Sequence, residues 1–139
     1  GEATCDFISQ FRMDYGIIGI SGISADGALL DFDFREVKVS QSIIEHTQTV
    51  ILAADYSKFE RKAMVEQGHL SQVDYLVCDR TPPASIAPII KEHNIESYWP
   101  SIHIYKIITH ITNDISHPIN STKTKHIFIK KITSWIHHW

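Results

Sequence analysis

The sequence lacks the long apolar segments and the cysteine pairs that are typical of membrane and secreted proteins. No run of 18 apolar residues occurs in the 139 residues, so we expect no membrane-spanning segment and no membrane partner. No signal-peptide pattern opens the chain. The two cysteines, Cys5 and Cys78, are far apart and have no metal-ligand spacing. We interpret both as reduced core thiols, which favours a cytoplasmic location.

Signatures of catalytic and metal sites are also missing. The chain has no Ser-His-Asp, Cys-His or HExxH arrangement, and the histidines at 46, 69 and 93 are scattered without ligand spacing. Metal sites and nucleophilic enzymes need such groups close together. We therefore expect no metal, no cofactor and no enzymatic activity.

Positive charge is scarce over most of the chain. Residues 1–96 carry 8 Lys and Arg against 15 Asp and Glu, a net charge of -7, whereas residues 97–139 carry 5 Lys against one Asp, a net charge of +4. An acidic globular part is a poor candidate for holding nucleic-acid phosphates through bulk charge. Direct binding of DNA by residues 1–96 is therefore not expected.

Glycine, alanine, valine and leucine are absent beyond Ser97. Residues 97–139 contain 11 Ile, six of the nine His and all three Trp, whereas ordinary domains rely on Leu, Ala, Gly and Val. Our hypothesis is that residues 98–139 are an anomalous Ile-, Lys- and His-rich tail derived from a frameshift or a junction. The alternative is a genuine β-rich extension, because HIYKIITHIT alternates apolar and polar residues in places.

Residues 1–97 have the pattern of one α/β domain. The segments DYGIIGIS, TVILAAD, VDYLVCD and NIESY predict short buried strands. The segments EATCDFISQFR, FREVKVSQSIIEHT and PPASIAPIIKEHN predict helices, and residues 57–64 predict a short helical turn. Short apolar strands that alternate with helices favour a parallel sheet with helices on both faces.

Polar residues follow three of the predicted strands, at positions 21–22, 55–58 and 79–80. The carboxyl ends of parallel strands lie at one edge of a sheet, where ligands bind. The glycines of GISGISADG would let the backbone approach a ligand there. The sequence thus predicts a ligand site that includes Lys58.

Lys58 supplies a point charge suited to a phosphate group. Ser57 offers a hydroxyl donor, and the backbone N–H groups of the next turn offer more. Asp55 suits a sugar hydroxyl or orients Lys58. The alternative is a helix-capping turn with a solvated lysine, which would bind nothing.

Three segments carry a resemblance to a known family: GISGISADGALLDFDFREV, ADYSKF and VDYLVCDRTPP. They resemble the C-terminal half of bacterial transcriptional repressors of the DeoR family, over about residues 1–96. The resemblance implies that residues 1–97 are the second half of an effector-binding domain similar to sugar-phosphate isomerases. The helix-turn-helix domain and the first half of the effector domain, with its phosphate loop, would then be absent from this chain.

The resemblance also implies a function. The domain would bind a phosphorylated sugar or polyol, expected to be glycerol 3-phosphate, and binding would relieve repression of glycerol metabolism genes. Operator DNA would be contacted only through the absent helix-turn-helix domain, and the full-length protein would be a homo-oligomer. The ligand-binding residues carried over by matching positions are Ser21, Gly22, Ile23, Asp26, Gly27, Glu36, Asp55, Ser57 and Lys58.

The sequence departs from the family pattern at three positions near these residues. Ser21 stands where many members have Asp, Ser40 where a basic residue is common, and Glu60 where Gly often follows the SKF motif. Each departure bears on the affinity of the predicted pocket.

Related amino-sugar phosphate deaminases have a DGHIAFNE-like segment, which offers an enzymatic alternative. Aligned on residues 26–27, their histidine falls on Ala28 and their glutamate on Asp33. Ala28 has no titrating group for general acid–base catalysis, so we expect binding without turnover. The alternatives are a remnant of a sugar-phosphate isomerase or deaminase, and a truncated fragment without function that associates through an exposed sheet edge.

Overall fold

Short helices and strands alternate along residues 2–99, which are the residues that the structure, a computed structural model, describes. In chain order the elements are α1 (Glu2–Ile8), β1 (Met13–Ile18), β2 (Gly22–Ile23), β3 (Ala28–Asp31), α2 (Phe34–Glu45), β4 (Thr47–Ala53), a 3-10 turn (Tyr56–Lys58), β5 (Val65–His69), a second 3-10 turn (Leu70–Gln72), β6 (Tyr75–Val77), α3 (Ala87–Glu92) and β7 (Glu96–Tyr98). The predicted tail 98–139 lies outside the described residues from residue 100 onward. No helix within residues 2–99 is long and apolar enough to cross a membrane.

Four strands form one parallel sheet in the order β1-β4-β6-β7. Gly16 of β1 pairs with Val50 of β4, and Leu52 of β4 pairs with Leu76 of β6. The chain passes from β1 to β4 through α2 and from β6 to β7 through α3. The predicted α/β class, with a parallel sheet and helices, is confirmed.

The hydrophobic core lies between this sheet and the two crossover helices. Leu52 and Leu76 are fully excluded from solvent at its centre. Ile43 and Ile44 of α2, and Ile89 and Ile90 of α3, pack against the same cluster. Burying a large aliphatic side chain stabilises the fold by about 1.5–3 kcal/mol, so this cluster holds the strand ends, and the loops that leave them, in fixed positions.

A second, antiparallel sheet of order β2-β3-β5 was not predicted. Its third strand, VEQGH, has no apolar alternation to mark it as a strand. It forms because its backbone pairs with β3, from Val65 opposite Asp31 to His69 opposite Ala28. The helical turn predicted over residues 57–64 is therefore wrong beyond Lys58, where the first 3-10 turn ends.

The helix α3 begins later than its sequence predicts. Pro82 and Pro83 lie in the preceding loop, and the helix starts at Ala87 with Pro88 in its first turn. Proline is tolerated there because its missing N–H would have no partner within the helix. An interior proline in the sequence has thus set the start of the helix.

Candidate functional site

Lys58 is positioned by a short turn at the end of β4. Asp55 caps this turn, because its side chain accepts hydrogen bonds from the Ser57 backbone N–H at 2.9 Å and from the Ser57 hydroxyl. The second carboxylate oxygen of Asp55 lies 3.7 Å from Nζ of Lys58. Lys58 is only 6% exposed, so its stem is held by packing while its ammonium group is paired with Asp55.

A bridge between two loops brings Ser21 to this lysine. Ile23 forms a parallel β-bridge with Phe59, and the Glu60 N–H donates to the Ile23 carbonyl at 2.7 Å. A Cβ atom on Gly22 would lie 2.2 Å from the Arg61 carbonyl oxygen. Glycine at 22 therefore permits the close approach of the two loops that brings Ser21 and Lys58 to one cavity.

The cavity has a volume of about 750 Å³ and lies where β1 and β4 end and α2 begins. Its lining residues are Gly19, Ile20, Ser21, Asp31, Asp33, Arg35, Glu36, Val39, Ser40 and Lys58. Three of the predicted site residues, Ser21, Glu36 and Lys58, are among them. Asp55 reaches the site through its ion pair with Lys58, and Gly22 and Ile23 lie buried in β2 beside it.

The turn around Lys58 offers fewer hydrogen-bond donors than the sequence suggested. The backbone N–H groups of residues 58, 59, 60 and 61 donate to Asp55, Tyr56, Ile23 and Lys58, respectively. The Ser57 hydroxyl donates to Asp55, and Ser57 does not line the cavity. The expectation that these backbone amides would hold an anion was wrong, because every one is consumed in closing the turn and the bridge.

Ser21 and Asp31 form a hydrogen-bonded pair in the cavity wall. The Ser21 hydroxyl donates to Oδ1 of Asp31 at 3.0 Å. The same oxygen accepts the backbone N–H groups of Phe32 at 2.7 Å and Asp33 at 3.4 Å. Asp31 is 8% exposed, and these donors satisfy its largely buried carboxylate.

The first turn of α2 contributes charges of both signs. Asp33 caps the helix, and its Oδ1 accepts the Arg35 backbone N–H at 2.8 Å. This hydrogen bond is the main reason that the pKa of Asp33 is lowered below its ordinary value. The Arg35 side chain lies 3.6 Å from the same carboxylate and is largely exposed. Because the Asp33 carboxylate already occupies the helix start, that start is not a vacant anion site.

Asp26 and Gly27 lie at the other end of the β2–β3 hairpin and do not line the cavity. The Asp26 carbonyl is 2.8 Å from Nε2 of His69, and the Gly27 carbonyl accepts the Leu70 N–H at 2.9 Å. Gly27 has a φ of +90°, which favours glycine. A hydrogen bond from the Ser24 side chain is the largest cause of the lowered pKa of Asp26. Contacts of these two residues hold the hairpin to β5.

The polar pair that follows β6 also lies apart from the cavity. Asp79 accepts the Tyr56 backbone N–H at 2.7 Å, and the Arg80 guanidinium lies 3.7 Å from the centre of the Tyr56 ring. These contacts join the end of β6 to the turn that carries Lys58. Their role in this geometry is to position that turn.

Sequence reasoning did not single out Asp31, Arg35 or Val39, which line the cavity. Asp31 had a detectable signal, since it is a carboxylate that directly follows the apolar run ALL, as Asp55 follows ILAA. No such signal marks Arg35 and Val39 in the sequence. A helix that starts with FREVKVS presents several faces, and the sequence does not show which face lies beside the loop that contains Ser21. Within residues 2–99, no group of His, Cys, Asp or Glu side chains could hold a metal ion.

Comparison with known proteins places this chain in a family. Residues 1–80, more than half of the chain, match the model of the DeoR C terminal sensor domain. Over 96 residues the chain is 52% identical to the glycerol-3-phosphate regulon repressor of Escherichia coli K12, covering 69% of this chain and 38% of that protein. The repressor of the same name from Haemophilus influenzae is 56% identical over 82 residues, which cover 59% of this chain and 32% of that protein.

A more distant relative extends the comparison. The HTH-type transcriptional repressor CsqR of Escherichia coli K12 is 34% identical over 100 residues, covering 72% of this chain and 38% of that protein. The chain thus spans little more than a third of the length of the relatives that it matches.

Proposed function

This chain belongs to the DeoR family and carries its C-terminal sensor domain, and from that premise we propose that it senses a phosphorylated polyol or sugar. Glycerol 3-phosphate is the proposed effector, because two of the relatives are named as repressors of the glycerol-3-phosphate regulon. Binding of the effector in the cavity around Lys58 would relieve repression of glycerol metabolism genes by the full-length regulator. We assign the operator contact and the homo-oligomeric contact to that full-length regulator.

One observation carries this proposal: Lys58 and Ser21 line one cavity at the ends of β4 and β1. These residues are 37 positions apart in the chain and meet only because the strands run parallel and the bridge from Ile23 to Phe59 closes the loops. A held ammonium group beside polar oxygen atoms suits a ligand with an anionic group and hydroxyl groups. The cavity is also large enough for a three-carbon phosphate ester.

The residues at the positions of the deaminase acid and base favour binding without turnover. Ala28 lies in β3 and has no titrating group. Asp33 caps α2, and its carboxylate is engaged by the Arg35 backbone N–H. Acid–base turnover needs a titrating group at each of the two positions, and Ala28 leaves Asp33 without that second group although Asp33 lines the cavity. An isomerase or deaminase activity is therefore the weaker alternative, and product analysis after incubation with sugar phosphates would reveal it.

Calorimetric titration of the chain with glycerol 3-phosphate tests the proposal. We compare Lys58→Met with Lys62→Met, since both remove one positive charge from the same loop but Lys62 is exposed and does not line the cavity. Loss of a charge-assisted hydrogen bond costs roughly 1.5–3 kcal/mol, so Lys58→Met should weaken binding by roughly ten- to a hundredfold. Lys62→Met should leave the Kd within about twofold because distant exposed charges are screened. Equal Kd values for the two variants would refute the proposal.

A further inference from the structure

We propose that Ser21 and Asp31 form a hydrogen-bond acceptor pair that selects a ligand with a free hydroxyl group next to its phosphate ester. This inference rests on the proposed function, because it concerns the same cavity. It assigns a ligand-contacting role to Asp31 and fixes the direction of the hydrogen bonds at Ser21. The pair would admit a hydroxylated phosphate ester and discriminate against the same ester without hydroxyl groups.

The Ser21 hydroxyl has one proton, and that proton is already engaged. It is donated to Oδ1 of Asp31 at 3.0 Å. A hydroxyl group carries one donor and two acceptor lone pairs, so Ser21 retains only acceptor capacity toward the cavity. A phosphate oxygen is itself an acceptor and gains nothing from Ser21, whereas a ligand hydroxyl can donate to it. Ser21 therefore interacts with the polyol part of a ligand.

The carboxylate of Asp31 is occupied on one oxygen and open on the other. Oδ1 accepts all three hydrogen bonds that Asp31 makes with described residues, from Ser21, Phe32 and Asp33. Within residues 2–99, Oδ2 of Asp31 accepts no hydrogen bond. Asp31 lines the cavity, and Oδ2 is the oxygen that keeps its acceptor capacity for a ligand.

The three donors on Oδ1 also hold this acceptor in place. They fix the carboxylate plane through two consecutive backbone N–H groups and one side chain, and Asp31 is 8% exposed. An acceptor that does not have to be reordered on binding contributes more selectivity. A site built to hydrogen-bond a ligand hydroxyl rejects the analogue that lacks it, because the site's polar atoms are then left without partners.

The charges around the cavity support the same division of roles. Asp31, Asp33 and Glu36 face the cavity against Lys58 and Arg35. A phosphate group near the carboxylates would be repelled, so its favourable position is beside the cations. Hydroxyl donors are the ligand groups that the acceptor pair can take, and a phosphorylated polyol supplies both kinds of group.

The test compares glycerol 3-phosphate with propyl phosphate, which has the same three-carbon ester but no free hydroxyl. The Kd of each ligand is measured by titration for the wild-type chain, Asp31→Asn and Asp33→Asn. Both substitutions remove one negative charge from the cavity wall, so both should increase the affinity for each of the two ligands by a similar factor. Asparagine replaces aspartate well as a helix cap, which makes Asp33→Asn the matched control for charge.

Wild-type protein should bind glycerol 3-phosphate at least about tenfold more tightly than propyl phosphate, as expected for a hydrogen bond to a charged acceptor. Asp31→Asn should bring this ratio close to one, and Asp33→Asn should keep it. Ser21→Ala provides a second variant that does not depend on the folding of Asp31→Asn, and it should reduce the ratio as well. Circular dichroism checks the fold of each variant.

The outcomes separate this inference from the proposed function. If both ligands bind through Lys58 with equal affinity, or if the ratio survives both Asp31→Asn and Ser21→Ala, the hydroxyl-selecting pair is refuted and the phosphate sensor stands. If Lys58→Met and Lys62→Met bind glycerol 3-phosphate with equal affinity, the proposed function falls and this inference falls with it. A ratio that falls equally in Asp31→Asn and Asp33→Asn would also overturn it, because general charge would then explain the preference.

Discussion

Replacing Gly22 by alanine should break the contact that brings the two loops of the cavity together. The added Cβ would lie 2.2 Å from the carbonyl oxygen of Arg61 and 3.1 Å from its carbonyl carbon, whereas non-bonded carbons settle at about 3.5–4.0 Å. The clash is with backbone, so no side-chain rotation relieves it. The loops must separate by roughly 1 Å or more to reach an ordinary contact.

The cost follows from what such a separation disrupts. The hydrogen bond from the Glu60 N–H to the Ile23 carbonyl, at 2.7 Å, lies one residue away in each of the two segments. Losing a hydrogen bond of this kind costs about 0.5–1.5 kcal/mol, and overpacking a fitted site costs about 1–3 kcal/mol. Gly22→Ala should therefore lower the free energy of unfolding by about 2–4 kcal/mol.

Gly68→Ala is the matched control for this prediction. Its added Cβ would lie 2.3 Å from Oε1 of Gln72, nearly the same overlap, but with the far end of a flexible side chain. Gln72 can rotate away at the cost of its hydrogen bond from the His69 N–H, about 0.5–1.5 kcal/mol. Urea unfolding followed by circular dichroism measures both variants. A Gly22→Ala loss no larger than that of Gly68→Ala would refute the reasoning from backbone contact.

Three further predictions follow from individual residues. Glu60 has a φ of 61°, a conformation that costs L-residues about 1–2 kcal/mol. Glu60→Gly should therefore raise the free energy of unfolding by about 0.5–1 kcal/mol, once the greater flexibility of glycine in the unfolded chain is subtracted. A lower free energy of unfolding in urea would contradict this. Asp33→Ala should lower the Tm because the cap on the Arg35 N–H is lost, whereas Asp33→Asn should keep it. Since the folded-state pKa of Asp33 is lowered, its charge stabilises the fold at pH values above its ordinary pKa. The Tm difference between wild type and Asp33→Ala should therefore shrink as the pH falls through the folded-state pKa. A Tm difference that does not change with pH below about 4 would argue against a role of the charge. Burial raises the pKa of the Cys78 thiol to about 12, so at pH 8 only about one Cys78 thiol in 10,000 is ionised. Iodoacetamide should therefore label the partly exposed Cys5 long before Cys78, unless urea unfolds the protein. Mass spectrometry of the digested protein measures the labelling of each cysteine.

The main sheet was predictable from the sequence because its strands are local apolar runs. Segments such as TVILAAD need no knowledge of their partners to be recognised as buried, and β4 has four consecutive buried residues at its end. The parallel order then followed from the alternation with helices. The meeting of Lys58 with the loop at Ser21 followed in turn, since both come after parallel strands.

The second sheet could not be predicted, because β2 has only two residues and β5 has no apolar pattern of its own. The segment VEQGH becomes a strand only when β3 offers its backbone. Glu60 is a similar case, because its left-handed backbone is set by the bridge between Ile23 and Phe59. Such features depend on residues that are distant in the chain.

The amino-acid sequence by itself therefore determined the α/β class, the approximate strand ends and the place of Lys58 after β4, since local hydrophobicity and polar residues at strand ends are enough for these. Only the tertiary structure decided that Ser21 donates its proton to Asp31 and that the amides after Lys58 are already engaged. The direction of a hydrogen bond depends on which groups meet in space. That meeting is fixed by strand pairing and loop closure, which no short segment of sequence records.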